Sequence, residues 1–266
     1  MLPLACVVAA FQMVVFTTVA GLIRPGYDPS RNWISQLSLG PGGWLADVNL
    51  VLCGLWLLIG AAGLGHGLSH PRPSWTGVGR TAVSQGGLAL PVGRAVGLWG
   101  GLDRAGRWAA GLIGWCGACL IVLAGVRTDA GIGYPPGVPA THTTVGLVHQ
   151  LVAVTLGVAG VAAAALLGRA TRRPYAGMVV ALVMAVTFVA ASVLVVLDDA
   201  GVWPGNPSGL LERVALFVGL GWIGLVGLEV TVRGGPSGSS ASAPADPNED
   251  ETAGAATETA PAAGAR

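Results

Sequence analysis

The chain has 266 residues, of which 53% are hydrophobic and only 10% charged, against roughly 25% charged in an ordinary soluble domain. All 14 basic side chains are arginine and the formal net charge is +1, so there is no basic field for a nucleic acid. With a mean hydropathy of +0.68, soluble globular and disordered chains are both excluded, and a multi-pass membrane protein remains.

A bilayer core of about 30 Å is crossed by roughly 20 apolar residues in a helix. The first such run is 2–23. No basic residue precedes Arg24, and a signal peptide has an apolar region of only about 7–15 residues behind a positive start. The run therefore reads as a retained first transmembrane helix. Arg24-Pro25-Gly26 breaks it. Residues 28–39 then read as a short helix lying at the outer surface, with Asp28 as cap and Pro29 in first position. Trp33, Ile34 and Leu37 make its apolar side, and Arg31, Ser35 and Ser38, at i, i+4 and i+7, its polar side.

The second span is 44–65. His66 and His70 follow with metal-compatible i, i+4 spacing, but no carboxylate completes a set, so they read as interfacial. A long Gly-rich loop, about 66–106, carries Arg72, Arg80, Arg94 and Arg104, and its apolar stretch 86–102 is expected to dip into the interface. The third span, 107–126, contains Cys116-Gly117-Ala118-Cys119. Cys6 and Cys53 also lie in apolar runs, so the four cysteines read as packing residues rather than a disulfide or redox framework. Spans 144–167, 175–197 and 210–232 follow, separated by Tyr134-Pro135-Pro136-Gly137, Arg172-Arg173-Pro174 and Trp203-Pro204-Gly205. Asn206-Pro207 suits the start of the sixth helix. Residues 233–266, rich in Gly, Ser, Ala, Pro and acids, read as a disordered tail.

Arginine placement predicts orientation. Nine arginines (72, 80, 94, 104, 107, 169, 172, 173 and 233) fall on one side and four (24, 31, 127 and 213) on the other. Both termini are therefore expected in the cytoplasm, with loops 24–43, 127–143 and 198–209 outside. Trp33, Trp44 and Trp203 suit an outer aromatic belt, Trp108 and Tyr175 an inner one. Asp129-Ala130-Gly131-Ile132 is echoed by Asp199-Ala200-Gly201-Val202, which suggests that spans 3–4 and 5–6 are related hairpins.

The outer face collects Asp28, Asp47, Asp129, Asp198, Asp199 and Glu212 with its four arginines, His142 and His149. Ionisable groups in spans are costly and usually face the bundle interior. His149 with Gln150, and Glu212 with Arg213, are placed to reach one outer cavity. They serve either as base or metal ligand or as polar pins between helices. Asp198 and Asp199 oppose the dipole at a helix C-terminus, and either hold a cation with Asp129 or mark a wet helix end. Ser35 is a nucleophile only if a base such as His149 reaches it; otherwise it is a hydrogen-bonding serine. The candidate ligand- or ion-binding residues are thus Arg31, Ser35, Asp129, His142, His149, Asp198, Asp199, Glu212 and Arg213. The histidines are wrongly placed for haem, and no cofactor is expected.

Three stretches resemble a six-span bacterial and archaeal family catalogued as domain of unknown function 998. They are Arg24-Pro25-Gly26-Tyr27-Asp28-Pro29-Ser30-Arg31-Asn32-Trp33-Ile34-Ser35-Gln36-Leu37-Ser38; Arg127-Thr128-Asp129 with Gly133-Tyr134-Pro135-Pro136-Gly137 and Gly146-Leu147-Val148-His149; and Gly209-Leu210-Leu211-Glu212-Arg213. The resemblance covers about 5–232 and marks much of 72–103 as an insertion. It puts Ser35, Asp129, His149 and Arg213 on motif positions. The family often has Phe-Pro-Thr-Asp-Pro where this chain has Val126-Arg127-Thr128-Asp129-Ala130, and an acid where it has Gln150. The resemblance implies a fold and a bacterial plasma-membrane setting, and no reaction.

The expected fold is all-α, a six-helix transmembrane bundle. Three functions are open. One is an outer polar site binding a small ligand, lipid headgroup or cation. The second is a membrane-embedded hydrolase or lipid-modifying enzyme using His149 with outer carboxylates. The third is a scaffold without chemistry. Partners are the lipid bilayer and one such ligand, not nucleic acid. Transport is disfavoured by the few polar residues at mid-span, with Glu229 the one carboxylate in the inner half of a helix.

Overall fold

The computed structural model describes residues 1–69 and 92–234. The fold is an all-α transmembrane bundle. Its six helices are α1 (Ala5–Ile23), α2 (Trp44–Ser69), α3 (Val92–Gly125), α4 (Thr144–Ala170), α5 (Pro174–Asp199) and α6 (Ser208–Gly234), and each is long and apolar enough to cross a membrane. Every helix packs on its chain neighbours, and α6 returns against α1 to close a ring. With six crossings, the start of α1 and the end of α6 share one end of the bundle.

The six spans stand where apolar runs place them. The loop expected over 66–106 is shorter at both edges, because α2 runs on to Ser69 and α3 begins at Val92. Of the interfacial stretch expected at 86–102, residues 92–102 are helical and open α3, and 86–91 lie outside the described residues. His66 is exposed. His70, residues 72–91 and the tail beyond 234 lie outside the described residues.

The helices are apolar on all sides, as lipid requires. On α5, Met178, Leu182, Val186, Val189, Val193 and Val196 form one exposed stripe. Inner faces instead carry small residues, because helices in lipid associate by close packing. A Cβ on Gly54 of α2 would come 2.5 Å from the Gly117 carbonyl oxygen of α3. On Gly168 of α4 it would come 2.6 Å from Gly177 Cα of α5. These glycines account for part of the chain's 43. All four cysteines are free and buried. Cys116 Sγ faces the Leu156 carbonyl and Cys119 Sγ the Thr155 hydroxyl, each at 3.7 Å, so the C-x-x-C pair packs α3 on α4.

Two polar clamps stiffen the ring. Gln12 Nε2 donates to Asn49 Oδ1 at 3.0 Å, and Trp56 Nε1 donates to Gln12 Oε1 at 3.1 Å, joining α1 to α2. At the termini's end, Glu229 accepts Arg233 at 2.5 Å and Arg173 at 3.3 Å, fastening α6 to the α4–α5 turn. The carboxylate that a transmembrane relay would need is held by two guanidiniums.

Candidate functional site

The opposite end of the bundle is built around residues 24–43. The surface helix expected over 28–39 is reduced to a 3-10 helix, Ile34–Ser38, and the segment is embedded rather than superficial. Asn32, Trp33, Ile34, Gln36, Leu37 and Ser38 are all buried. The reason lies in Asp28. Its Oδ1 accepts the Ser30 N–H at 2.9 Å and the Ser30 hydroxyl at 2.7 Å, so it closes a local turn instead of capping a longer helix. These two bonds hold the Asp28 carboxyl below its ordinary pKa. Leu37 and Ser38 are both buried, so the segment does not turn one apolar side inward and one polar side outward.

Neighbouring elements grip this loop largely through its backbone. Gly209 and Leu210, in the first turn of α6, donate their N–H groups to Arg31 O at 3.2 Å and Ser30 O at 2.8 Å. The Ser208 hydroxyl donates to Arg31 O at 3.1 Å. The loop thereby satisfies donors that a helix start leaves unpaired. Glu212 Oε2 accepts the Ile34 N–H at 2.7 Å. Asn32 Nδ2 and Gln36 Nε2 donate to Ile132 O at 2.9 Å and Gly131 O at 2.6 Å in the α3–α4 loop.

Arg213 is 6% exposed. Its Nη1 donates to Asn32 O at 2.8 Å and Gly209 O at 2.9 Å, and its Nη2 donates to the Tyr27 hydroxyl. The guanidinium also lies 5.6 Å from the centre of the Tyr27 ring. Burial pushes the Tyr27 pKa up, and its hydroxyl donates to Trp33 O at 2.9 Å. The Tyr27 ring meets Tyr134 edge-on at 5.3 Å.

The nine predicted residues separate into three groups. Arg31, Asp198 and Arg213 hold loops. Arg31 pairs with Asp198 at 3.6 Å, and Asp198 also accepts the Gly205 N–H at 2.8 Å. His149 and Glu212 line a central chamber of ≈130 Å³ to which all six helices contribute. Its other walls include Met13, Leu57, Leu120, Ala153, Met184 and Leu220. His149 is 3% exposed. Its Nδ1 lies 2.6 Å from the Val126 carbonyl, an acceptor that assigns the ring proton to Nδ1 and the lone pair to Nε2.

Asp129, His142 and Asp199 line a larger vestibule of ≈730 Å³. Asp129 accepts the Thr143 N–H and hydroxyl, both at 2.7 Å. Thr143 in turn caps α4 by accepting the Gly146 N–H at 3.0 Å. His142 Nε2 lies 3.6 Å from Asp199. Ser35 lines both spaces, together with Trp33 and Gln150.

Glu212 and Arg213 therefore both hold the embedded loop, but of the two only Glu212 also lines the chamber. Asp129, Asp198 and Asp199 have separate partners. Among the described residues no three His, Cys, Asp or Glu side chains gather as a metal site. The sequence echo does not carry a shared role, since Asp129 grips Thr143 whereas Asp198, not Asp199, makes the matching contact to Gly205. Sequence reasoning missed Tyr27, Asn32 and Gln36, each of which meets a partner far along the chain. It also missed Thr143, which its position before an apolar run marks as a helix cap.

The pattern of the family described as Protein of unknown function (DUF998) matches residues 7–93 and 79–229. No curated protein and no solved structure is significantly similar to the chain. The two matched stretches take in all six spans, the embedded loop and both cavities, and the chain belongs to this family of multi-pass membrane proteins.

Proposed function

We propose that the chain is a membrane-embedded binding protein whose ligand is amphiphilic, with a polar head in the vestibule and an apolar tail in the central chamber. The observation that carries this reading is the common wall of the two spaces. Trp33, Ser35 and Gln150 border both, so a compartment of ≈730 Å³ bearing Asp129, His142 and Asp199 adjoins a more apolar one of ≈130 Å³. Sites of this kind combine apolar lining with a few placed polar groups. The nine-to-four arginine bias supports a vestibule open to the outside of a plasma membrane.

The test is native mass spectrometry of the full chain purified from membranes in nanodiscs. One amphiphile per chain is expected to stay bound. Ala153→Leu, which fills the chamber, is expected to lower its occupancy at least tenfold. Wild type and variant that are equally empty would support a scaffold instead.

A second reading, a membrane-embedded hydrolase, is favoured by one observation. His149 is oriented through Nδ1, leaving Nε2 as acceptor, and it lines the same chamber as Ser35. Here Ser35 is the nucleophile and His149 the general base. A fluorophosphonate probe is then expected to label wild type and to fail on Ser35→Ala and His149→Ala. An unlabelled wild type rejects this reading.

A further inference from the structure

The central chamber has a floor. Its lining runs from His149 to Val161 on α4 and from Glu212 to Ile223 on α6, which is about 16–18 Å at the rise of an α-helix and about half of a bilayer core. On α2 and α3 it reaches Leu57 and Cys116. Beyond these, Leu64, Ile113, Leu167 and Val226, from α2, α3, α4 and α6, are fully buried in one packed core, and none of them borders the chamber. The chamber therefore ends near mid-membrane.

Its deep end is closed from α5. A Cβ on Gly219 of α6 would come 2.5 Å from Met184 Cε, and one on Gly160 of α4 would come 3.2 Å from the same atom. The Met184 thioether arm thus occupies space between α4 and α6 that these glycines leave, and Met184 and both glycines line the chamber. Phe188, one turn nearer the vestibule, sits on Gly157 in the same way, with 2.9 Å from an added Cβ to its ring. The chamber is also small, at ≈130 Å³. An apolar cavity of about 150 Å³ takes one benzene, so there is room for one alkyl chain of about eight carbons and none for a second chain or fused rings.

We propose that the tail held in the chamber is a single unbranched alkyl chain of about eight carbons, and that Met184 sets its length. This rests on the binding reading given above and adds the kind of tail. The two long acyl chains of an ordinary bilayer lipid are shut out by the floor and the width of the chamber. The site thereby selects a minor, single-chain amphiphile against the lipid that surrounds every helix.

The experiment measures retention of octanol, dodecanol and octadecanol by the full chain in nanodiscs, again by native mass spectrometry. One octanol per chain is expected, with octadecanol retained at least tenfold less. Met184→Ala removes the thioether arm and is expected to make dodecanol the preferred chain, while Met184→Leu, close in volume, keeps the wild-type order. Gly219→Ala works in the opposite sense: its methyl crowds Met184 Cε, and octanol retention is expected to fall at least fivefold. Equal retention of all three by wild type, together with their loss in Ala153→Leu, overturns the length limit and leaves the binding reading standing. Retention of none by wild type overturns both. The wild-type order persisting in Met184→Ala, in a variant that elutes and melts as wild type does, overturns the role of Met184. Where that variant does not fold, unchanged octanol retention in Gly219→Ala overturns it instead.

Discussion

Glu212 Oε2 accepts the backbone N–H of Ile34 across 178 residues of sequence. A carboxylate at a helix start commonly serves its own helix; this one reaches out to hold another loop. The same side chain lines the chamber, so it joins the embedded loop to the wall of the cavity.

Replacing Glu212 with alanine leaves the Ile34 N–H without its acceptor. An unsatisfied buried donor costs about 1–3 kcal/mol. Glu212→Gln keeps a carbonyl acceptor and is expected to lose less than half as much. Thermal unfolding of both variants in one detergent checks the order.

Arg213 is held by three acceptors on two elements. A lysine cannot reproduce that planar fork, so Arg213→Lys is expected to destabilise by about 1–3 kcal/mol. Arg127→Lys changes a pair whose arginine is 57% exposed and is expected to be nearly neutral. Equal melting shifts for the two would contradict this account.

Asp129 and Thr143 cap α4 in relay. Thr143→Val is expected to cost about 1 kcal/mol, as loss of a helix cap does. Asp129→Asn and Thr143→Val share one network, so the double variant is expected to fall short of their sum. A double-variant cycle on unfolding midpoints reads the coupling directly.

The Gly168–Gly177 approach leaves no room for a side chain. Gly168→Val is expected to force α4 and α5 apart and to lower the yield of monodisperse protein. Gly111, beside which an added Cβ meets nothing within 4 Å, is expected to accept Ala. Size-exclusion profiles of the two compare a crowded glycine with an open one.

The arginine bias is tested by thiol labelling. The native cysteines are buried and give little background. Val138, 47% exposed in the α3–α4 loop, and Tyr175, 87% exposed at the opposite end, are suitable sites for cysteine. An impermeant maleimide on intact cells is expected to label the first and not the second. The reverse pattern inverts the orientation.

The six helices were legible because a span needs only length and hydropathy. Both misplaced boundaries, Ser69 and Val92, lie where Gly and Arg dilute the apolar signal without breaking the helix. The clamp of Gln12, Asn49 and Trp56 was not legible, since neutral polar side chains reveal their partners only once α1 and α2 are side by side. His149, Glu212 and Ser35 line one space, and the similar depth of the first two in their spans follows from residue number. That Glu212 and not Arg213 borders the chamber did not follow, because adjacent residues on a helix point about 100° apart and sequence does not say which one faces inward.

The embedded loop precedes α2 in the chain, yet two of its carbonyls, Ser30 O and Arg31 O, are satisfied by the first turn of α6. Synthesis delivers these two acceptors first and their α6 donors only after α2, α3, α4 and α5. The loop must wait, solvated, through the insertion of four more helices before its acceptors are met. A nascent chain that stops after α5 would therefore carry most of its spans and lack the α6 donors that hold this loop.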